Sequence, residues 1–286
     1  TGENINVTIT DTVSIAQLAS LDSANGSGTL TYSAGGITDT ISNLVSNTGS
    51  YITGAINVIA SDAVSMAQLA SVDALTTGTL TYTAGGISDT AANLATNNGS
   101  YVAGAVNVTI TNSATVAQLT SIDGDTTGTV TYTSVSDTIA NLTNDAASNG
   151  GNGTYVRAGK DVTVTDAATI AQLTVIDTVN TTGSVSATQI SDAIGNLMDG
   201  ASANALVAPN AEVTVTGTPT LTQLQTINHA NGSGGVSSSS VTGTASALAT
   251  DAATDSGNGT HVTGSVNVTV TDTATIAQLA AIDAAT

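Results

Sequence analysis

The chain has 286 residues and a formal net charge of −19, because 21 acidic residues stand against only two basic ones, Arg157 and Lys160. Hydrophobic residues make up 40% of the sequence, yet it contains no Phe, Trp or Cys. The acidic excess excludes nucleic acid as a partner, since phosphate binding depends on clustered Lys and Arg. No stretch approaches the roughly 18 consecutive apolar residues of a membrane span, so no membrane insertion is expected.

The sequence repeats itself at intervals of 50 to 55 residues. A Gln-Leu pair marks each repeat, and a phrase close to Ser-Asp-Thr-x-x-Asn-Leu lies between successive pairs. We call the segment around Gln-Leu the A half and the other the B half. About eleven such halves of roughly 25 residues alternate along the chain. The predicted repeats span residues 1–52, 53–102, 103–156, 157–207 and 208–262, with a half-repeat at 263–286.

Each half predicts a short strand followed by a short helix. In the A half, Val-Thr alternation such as residues 268–271 indicates a strand with Val inward and Thr outward. Ile276, Leu279 and Ile282 then lie on one face of a predicted helix. A Ser or Thr ahead of each A helix suits the N-cap position, as at Ser14, Ser65, Thr115, Thr169, Thr220 and Thr275.

The B half predicts one further strand, over TLTYTAGGISDT at residues 79–90, followed by a short helix capped by Asp89 or Thr90. A strand and helix of this size cannot bury their apolar faces alone, so neighbouring halves must stack. The predicted fold class is a repeat β/α solenoid of parallel strands and short helices, laid out like a leucine-rich repeat. The A and B strands could share one parallel sheet or form two separate sheets.

Two phrases resemble the tandem repeats of giant secreted bacterial proteins of the cyanobacterial and marine type. They are VTVTDAATIAQLTVID at residues 162–177 and ISDTAANL at residues 87–94. The resemblance covers essentially the whole chain and identifies a style of repeat. It implies a component of a surface layer, adhesin or filament, located outside the cell.

No residue pattern indicates catalysis, so the chain is not expected to be an enzyme. His229 and His261 are the only histidines. His261 occupies the position of Tyr51 and Tyr101 in other repeats, and His229 occupies the position of Ser23 in the first repeat. Both histidines are therefore interpreted as sequence variation between copies of the repeat. The six tyrosines follow the repeat as well, since Tyr32, Tyr82 and Tyr132 end B strands whereas Tyr51, Tyr101 and Tyr155 precede A strands.

Aspartates recur in the turns that follow the strands. Calcium takes six to eight oxygen ligands, including carboxylates and turn carbonyls, so these residues are calcium candidates. Helix capping is the competing interpretation, because a carboxylate also suits a helix N-terminus. One Asp per turn, and replacement by Asn112 and Gly217 in equivalent A turns, favour capping. The calcium candidates of the B halves are Asp39, Asp89, Asp137 and Asp192.

Side-chain amides recur beside the repeated leucine of most halves. Stacked amides could form a ladder that satisfies backbone groups of adjacent turns, and the alternative is an exposed helix position. The Asn positions favour the ladder more than the Gln positions do. The candidates are Asn43, Asn93, Asn141, Asn196, Gln17, Gln68, Gln118, Gln172, Gln223 and Gln278.

These observations predict a non-catalytic structural protein that forms an extracellular filament, sheath or surface layer by subunit stacking. Self-association, head-to-tail or lateral, is the expected partnership, and Asn-Gly-Ser/Thr segments such as those at Asn98 and Asn258 could accept glycans. No cofactor is expected, apart from the calcium option. The alternative is an adhesin stalk or binding module of a larger secreted protein, followed by an ice- or calcium-binding solenoid.

Overall fold

A computed structural model describes residues 4–207, 209–257 and 259–286. The chain divides into two compact units, Thr1–Thr133 and Ser134–Thr286. The boundary falls inside the third sequence repeat, whose predicted span is 103–156. Within the described ranges no helix is long and apolar enough to cross a membrane.

The first unit alternates very short strands with helices of six to eleven residues. Its strands are β1 Val7–Thr8, β2 Leu30–Thr31, β3 Ile37–Asp39, β4 Val58–Ala60, β5 Leu80–Thr81, β6 Ile87–Asp89, β7 Val108–Ile110 and β8 Val130–Thr131. Its helices are α1 Ile15–Asn25, α2 Ile41–Ser46, α3 Met66–Asp73, α4 Ala91–Thr96 and α5 Val116–Asp125.

The second unit follows the same alternation with some longer strands. Its strands are β9 Ser134–Asp137, β10 Asp161–Ala168, β11 Val185–Ala193, β12 Met198–Asp199, β13 Ser202–Ala203, β14 Glu212–Thr216, β15 Val236–Ser238, β16 Ser240–Gly243 and β17 Asn267–Val270. Its helices are α6 Ile139–Ala146, α7 Ser148–Gly151, α8 Ile170–Asn180, α9 Ile194–Leu197, α10 Leu221–Asn231, α11 Ala245–Ala252 and α12 Ile276–Ala285, with a 3-10 turn at Asp255–Gly257.

The strands of A and B halves pair with one another in the same small sheets. In the first unit the sheets are β1-β2, β3-β4-β5 and β6-β7-β8, and in the second they are β9-β10-β11-β14-β15 and β16-β17. These pairings are all parallel, and only the β12-β13 hairpin among the described strands is antiparallel. The structure therefore shows a mixed α/β fold of several parallel sheets and, of the two arrangements left open, favours shared sheets.

Register aligns the apolar residues of successive strands. Ile37 lies opposite Val58, which lies opposite Leu80. In the second unit Val135 lies opposite Val162, which lies opposite Val185. Val58 and Val162 are at most 1% exposed, as are the helix residues Leu69 and Leu173 that face the sheets. The core is thus a narrow seam of aliphatic side chains between the strands and the helices.

The B half differs from the single strand predicted over residues 79–90. The structure has two short strands there, β5 and β6, because the segment between them turns at Gly85 and Gly86. Gly86 has a φ of +70°, and a Cβ on Gly85 would lie 2.0 Å from the carbonyl carbon of Asp62. In the fourth repeat the equivalent segment contains no glycine, and β11 runs without interruption from Val185 to Ala193.

Candidate functional site

Each A helix begins with a reciprocal pair of hydrogen bonds known as a capping box. In α3 the Ser65 hydroxyl accepts a bond from the Gln68 N–H, and the Gln68 carboxamide oxygen accepts one from the Ser65 N–H at 2.9 Å. The six predicted N-caps all occupy this position in the structure. The repeated glutamines therefore bond within their own helix. The Ser/Thr-x-x-Gln spacing is a sequence signature of this motif, and the sequence interpretation above did not use it.

A second capping bond joins successive halves of the repeat. The N–H of the first residue in a helix donates to a side-chain carboxylate or amide oxygen of the next half, at or near the end of a strand. Helix N-termini carry unpaired N–H groups and partial positive charge, so an acceptor there is favourable. Bonds of this kind, 2.7 to 3.0 Å long, include those from Ile15 to Asp39, Ile41 to Asp62, Met66 to Asp89, Ala91 to Asn112, Ile139 to Asp166, Ile170 to Asp192 and Ala245 to Asp272.

In the first four repeats the Asn of the B helix supports the aspartate of the same half. Asn93 donates to Asp89 Oδ1 at 2.8 Å, and the Thr90 N–H donates to the same oxygen at 2.7 Å. The other Asp89 oxygen, Oδ2, is thereby left directed at Met66. The side-chain amides of Asn43, Asn141 and Asn196 make the same contact with Asp39, Asp137 and Asp192. These amides thus bond inside one half of the repeat, and the bonds between halves come from the carboxylates.

The carboxylates of the four calcium candidates already accept hydrogen bonds. Oδ1 of Asp39, Asp89, Asp137 and Asp192 accepts from the following N–H and from the Asn amide. Calcium would need several further oxygens around each carboxylate. In the described part of the chain no three Asp, Glu or His side chains are placed to share a metal ion. The geometry around these aspartates is that of a helix cap.

We expect Asp89→Ala to lower the free energy of unfolding by about 1–2 kcal/mol, the usual cost of a lost N-cap. Burial alone would raise the pKa of Asp89, but hydrogen bonds from Asn93, Thr90 and Met66 outweigh it and hold the pKa below its ordinary value. The stabilisation is therefore present above about pH 4 and is lost as pH falls further. Urea unfolding at pH 7 and pH 3 should show a smaller difference between wild type and variant at pH 3. An equal difference at both pH values would contradict this assignment.

Two buried aspartates that the sequence interpretation missed hold the loop after a B helix. Asp251 Oδ2 accepts N–H bonds from Thr260, His261 and Val262, at 3.3, 2.8 and 2.8 Å. Asp145 does the same for the backbone of Tyr155 and Val156. In the first repeat Asn47 takes this role toward Ile52. The sequence feature that could have identified these residues is an Asn or Asp that recurs upstream of the glycine turn in most repeats.

Paired tyrosines close the space between that loop and the A helix in the first unit. The Tyr32 hydroxyl donates to the Tyr51 carbonyl oxygen at 2.8 Å, and the Tyr51 hydroxyl donates to Asp22 at 3.3 Å. The two rings meet edge to face with centroids 6.4 Å apart. Tyr82, Tyr101 and Asp73 repeat this cluster.

The fifth repeat replaces every member of this cluster. Ser238 stands for Tyr32, His261 for Tyr51 and Asn228 for Asp22. His261 is 7% exposed, and its Nε2 atom is buried without a hydrogen-bond partner. His229 lies on the exposed side of the last turn of α10, rather than in a turn outside the helix. Both histidines line one groove of about 690 Å³ between α10 and α11.

Burial lowers the pKa of His261, and the nearby Asp251 carboxylate offsets this only in part. The unfolded chain therefore binds a proton more readily than the native one, so stability falls as pH drops below the ordinary histidine pKa of about 6.5. We expect urea unfolding between pH 7.5 and 5.5 to show this decline in wild type and in His229→Gln. His261→Tyr should remove it. A decline that persists unchanged in His261→Tyr would refute the role of this imidazole.

In comparisons with protein-family models, curated proteins and solved structures, this chain has no match. The contacts described above are therefore the basis for a proposal about function. Of the two glycan-acceptor candidates, Asn98 is exposed, whereas Asn258 lies outside the described residues.

Proposed function

We propose that the chain is a β/α solenoid with a non-catalytic structural role, and that it builds an extracellular filament, sheath or surface layer by stacking of subunits. The observation that carries the proposal is the recurring bond from a helix N-terminus to the carboxylate or amide of the next half. It recurs along both units and joins successive halves through the same kinds of atoms. A fold whose successive halves are joined by the same kind of bond is suited to a structural role.

The apolar face of α12 in the last A half is exposed. Ile276 is 88% exposed and Leu279 is 47% exposed, whereas the equivalent Ile170 and Leu173 are 6% and 1% exposed. In the inner repeats the following half covers these positions. An apolar face beside unpaired strand edges is a site for association. In the inner repeats a B half always covers this face, so an A half of a second copy would form a joint unlike the inner ones.

The first A half carries the complementary features. Asp11 occupies the position of Asp62, and among the described residues no hydrogen bond to its carboxylate is present. In a stacked pair Asp11 of a second copy would face the first N–H of α12, which is an A helix, whereas Asp62 accepts from α2, which is a B helix. Ile5 is 55% exposed beside it and adds apolar surface. A contact between two different faces does not close on itself and so produces a chain of subunits.

Extracellular placement rests on the composition and on the resemblance of the repeat to secreted bacterial proteins. The acidic surface, with 21 acidic residues against two basic ones, and the absence of cysteine agree with it. The alternative function, a stalk or binding module of an adhesin, shares the fold but needs no contact between copies.

Sedimentation velocity over a hundredfold range of protein concentration tests the proposal. We expect species larger than the monomer to increase with concentration. Leu279→Asp should abolish them, since it places a charge in the apolar face. Asp199→Asn, at an exposed position of β12, is the matched control and should leave association unchanged. A wild type that remains monomeric throughout would favour the adhesin stalk.

A further inference from the structure

The strand β17 and the helix α12 present an open surface that the inner repeats show in its covered form. Among the described strands β17 pairs only with β16, whereas the equivalent strands β4 and β10 pair on both edges. Val268 and Val270 of β17 are half-buried, and Ile276 and Leu279 of α12 are exposed. These four residues line a cleft of about 610 Å³. We call the surface that they form the α12 face.

The inner repeats show which part of the chain covers such a face. There the strand of an A half pairs with a strand of the following B half, as β4 does with β5 and β10 with β11. The A helix packs on the strands of the same B half, as α3 does on β6 and α8 on β11. The B half contributes apolar side chains to this contact, since Ile87 and Ile190 are each 1% exposed. The inner junctions therefore define the chemistry of a partner that fits the α12 face.

Backbone donors at the inner junctions specify this partner further. The N–H of the A-strand valine donates to a backbone oxygen of the B half, at 2.8 Å for Val58. The first N–H of the A helix donates to the aspartate of the B half, at 2.9 Å from Met66 to Asp89. The equivalent donors of the α12 face belong to Val268 and Ile276. A B half thus supplies an acceptor for each of them.

A tyrosine hydroxyl of the B half also reaches the preceding A helix. Tyr51 donates to Asp22 at 3.3 Å, and Tyr101 donates to Asp73 at 3.1 Å. Asp283 occupies the same position of α12, is exposed, and lines the cleft. A B half of the kind found in the first two repeats would bring a hydroxyl donor to this carboxylate.

We propose that the α12 face binds a B-type half presented by a second polypeptide, in preference to the first A half of a second copy. The first A half, residues 4–25, contains no tyrosine, and it brings together two chains that each carry a net charge of −19 and repel one another. A B half such as residues 76–102 has a single charged residue, Asp89, which is directed at a helix N-terminus. The inference rests on the proposed function, which makes this face a site of association, and it names the partner that the face selects.

The bound B half adds a parallel strand to the open edge of β17 and places its isoleucine against Ile276 and Leu279. Addition of a strand to an exposed sheet edge is a recurrent mode of peptide recognition, in which the backbone gives affinity and side-chain pockets give specificity. An isolated B half orders as it binds, and the cost of this ordering lowers its affinity.

A synthetic peptide of residues 76–102, titrated into the full chain by calorimetry up to millimolar concentration, tests the proposal. We expect saturable binding by wild type. Binding should be at least about tenfold weaker when Leu279→Asp is introduced into the chain or Ile87→Asp into the peptide, because each places a charge in the apolar contact. Asp199→Asn is the matched control and should bind as wild type does. A peptide of the same composition in scrambled order should not bind.

Two smaller changes test the tyrosine contact. Asp283→Ala in the chain and Tyr101→Phe in the peptide should each weaken binding about threefold, and the two together should weaken it no more than either alone. The amide resonance of Ile276 should shift when the wild-type peptide is added. It should shift less with the Asp89→Ala peptide, because the acceptor for that N–H is then missing.

Sedimentation velocity separates this inference from the proposed function. Saturating peptide should reduce the species larger than the monomer, because it occupies the stacking face. A chain that binds no peptide at millimolar concentration would overturn the inference, whether or not copies stack. A chain that binds the peptide but never stacks would leave the inference standing and overturn the proposed function. Peptide binding that survives Leu279→Asp, or equal binding of the scrambled peptide, would also contradict the inference.

Discussion

Replacing Asp251 by alanine should destabilise the second unit by about 3–5 kcal/mol, the range expected when a buried hydrogen-bonding group is removed from several partners. The side chain is 5% exposed, and its Oδ2 atom is the acceptor for three consecutive N–H groups. The His261 and Val262 residues that donate two of these bonds are themselves at most 7% exposed. Water cannot readily replace the lost acceptor there.

Asp251→Asn should retain most of the stability, because an amide oxygen remains. Asn47 and Asn97 show that an amide performs this role, since they accept from Ile52 and Val102 at 2.9 and 2.8 Å. Asp199→Ala, at an exposed position, should change stability by less than about 0.5 kcal/mol. Urea unfolding of the three variants provides the comparison. If Asp251→Ala and Asp251→Asn lower the free energy of unfolding equally, the hydrogen bonds to residue 251 do not account for the loss of stability.

Leu173→Ala should cost about 3–5 kcal/mol, whereas Leu279→Ala should cost less than about 1 kcal/mol in dilute solution. The two leucines occupy the same position of the A helix, and they differ in exposure, at 1% and 47%. Removing the first leaves a cavity among close-packed aliphatic side chains, whereas the second is already in contact with water. Sequence alone gives no reason for such a difference, so the pair isolates the effect of burial.

Thermal or urea unfolding at micromolar concentration measures both variants as monomers. At concentrations where wild type associates, the cost of Leu279→Ala should rise, because stacking would bury this side chain. Equal costs for the two substitutions in dilute solution would mean that the two leucines are packed alike.

The repeat made much of the local structure predictable. Alternating Val and Thr indicated the inward and outward faces of the strands, and Ser or Thr before each Ile-Ala-Gln-Leu segment indicated the N-caps. Both depend on interactions within a few residues. The pairing of A with B strands could not be predicted, because either arrangement buries the same side chains. The break between β5 and β6 was missed because it depends on the close approach of Gly85 to Asp62 in another half.

The candidate sites were predictable only where their contacts are local. The aspartates of the B halves were recognised as caps or calcium ligands, but helix N–H groups that they accept from lie 22 to 24 residues away in the preceding half. No local pattern identifies those partners. The groove at His261 was missed for a related reason, since a single replacement of Tyr reads as drift. Only the structure shows that Ser238, Asn228 and His261 replace three residues of one cluster.

Stacking of copies end to end, with α12 of one against α1 of the next, is the central proposal. Cryo-electron microscopy of the purified protein at high concentration tests it most directly. We predict filaments whose density shows strands spaced about 4.8 Å apart, with α12 of one subunit against α1 of the next and Asp11 at the N-terminus of α12. Particles that remain single at every concentration, or filaments joined through other surfaces, would contradict it.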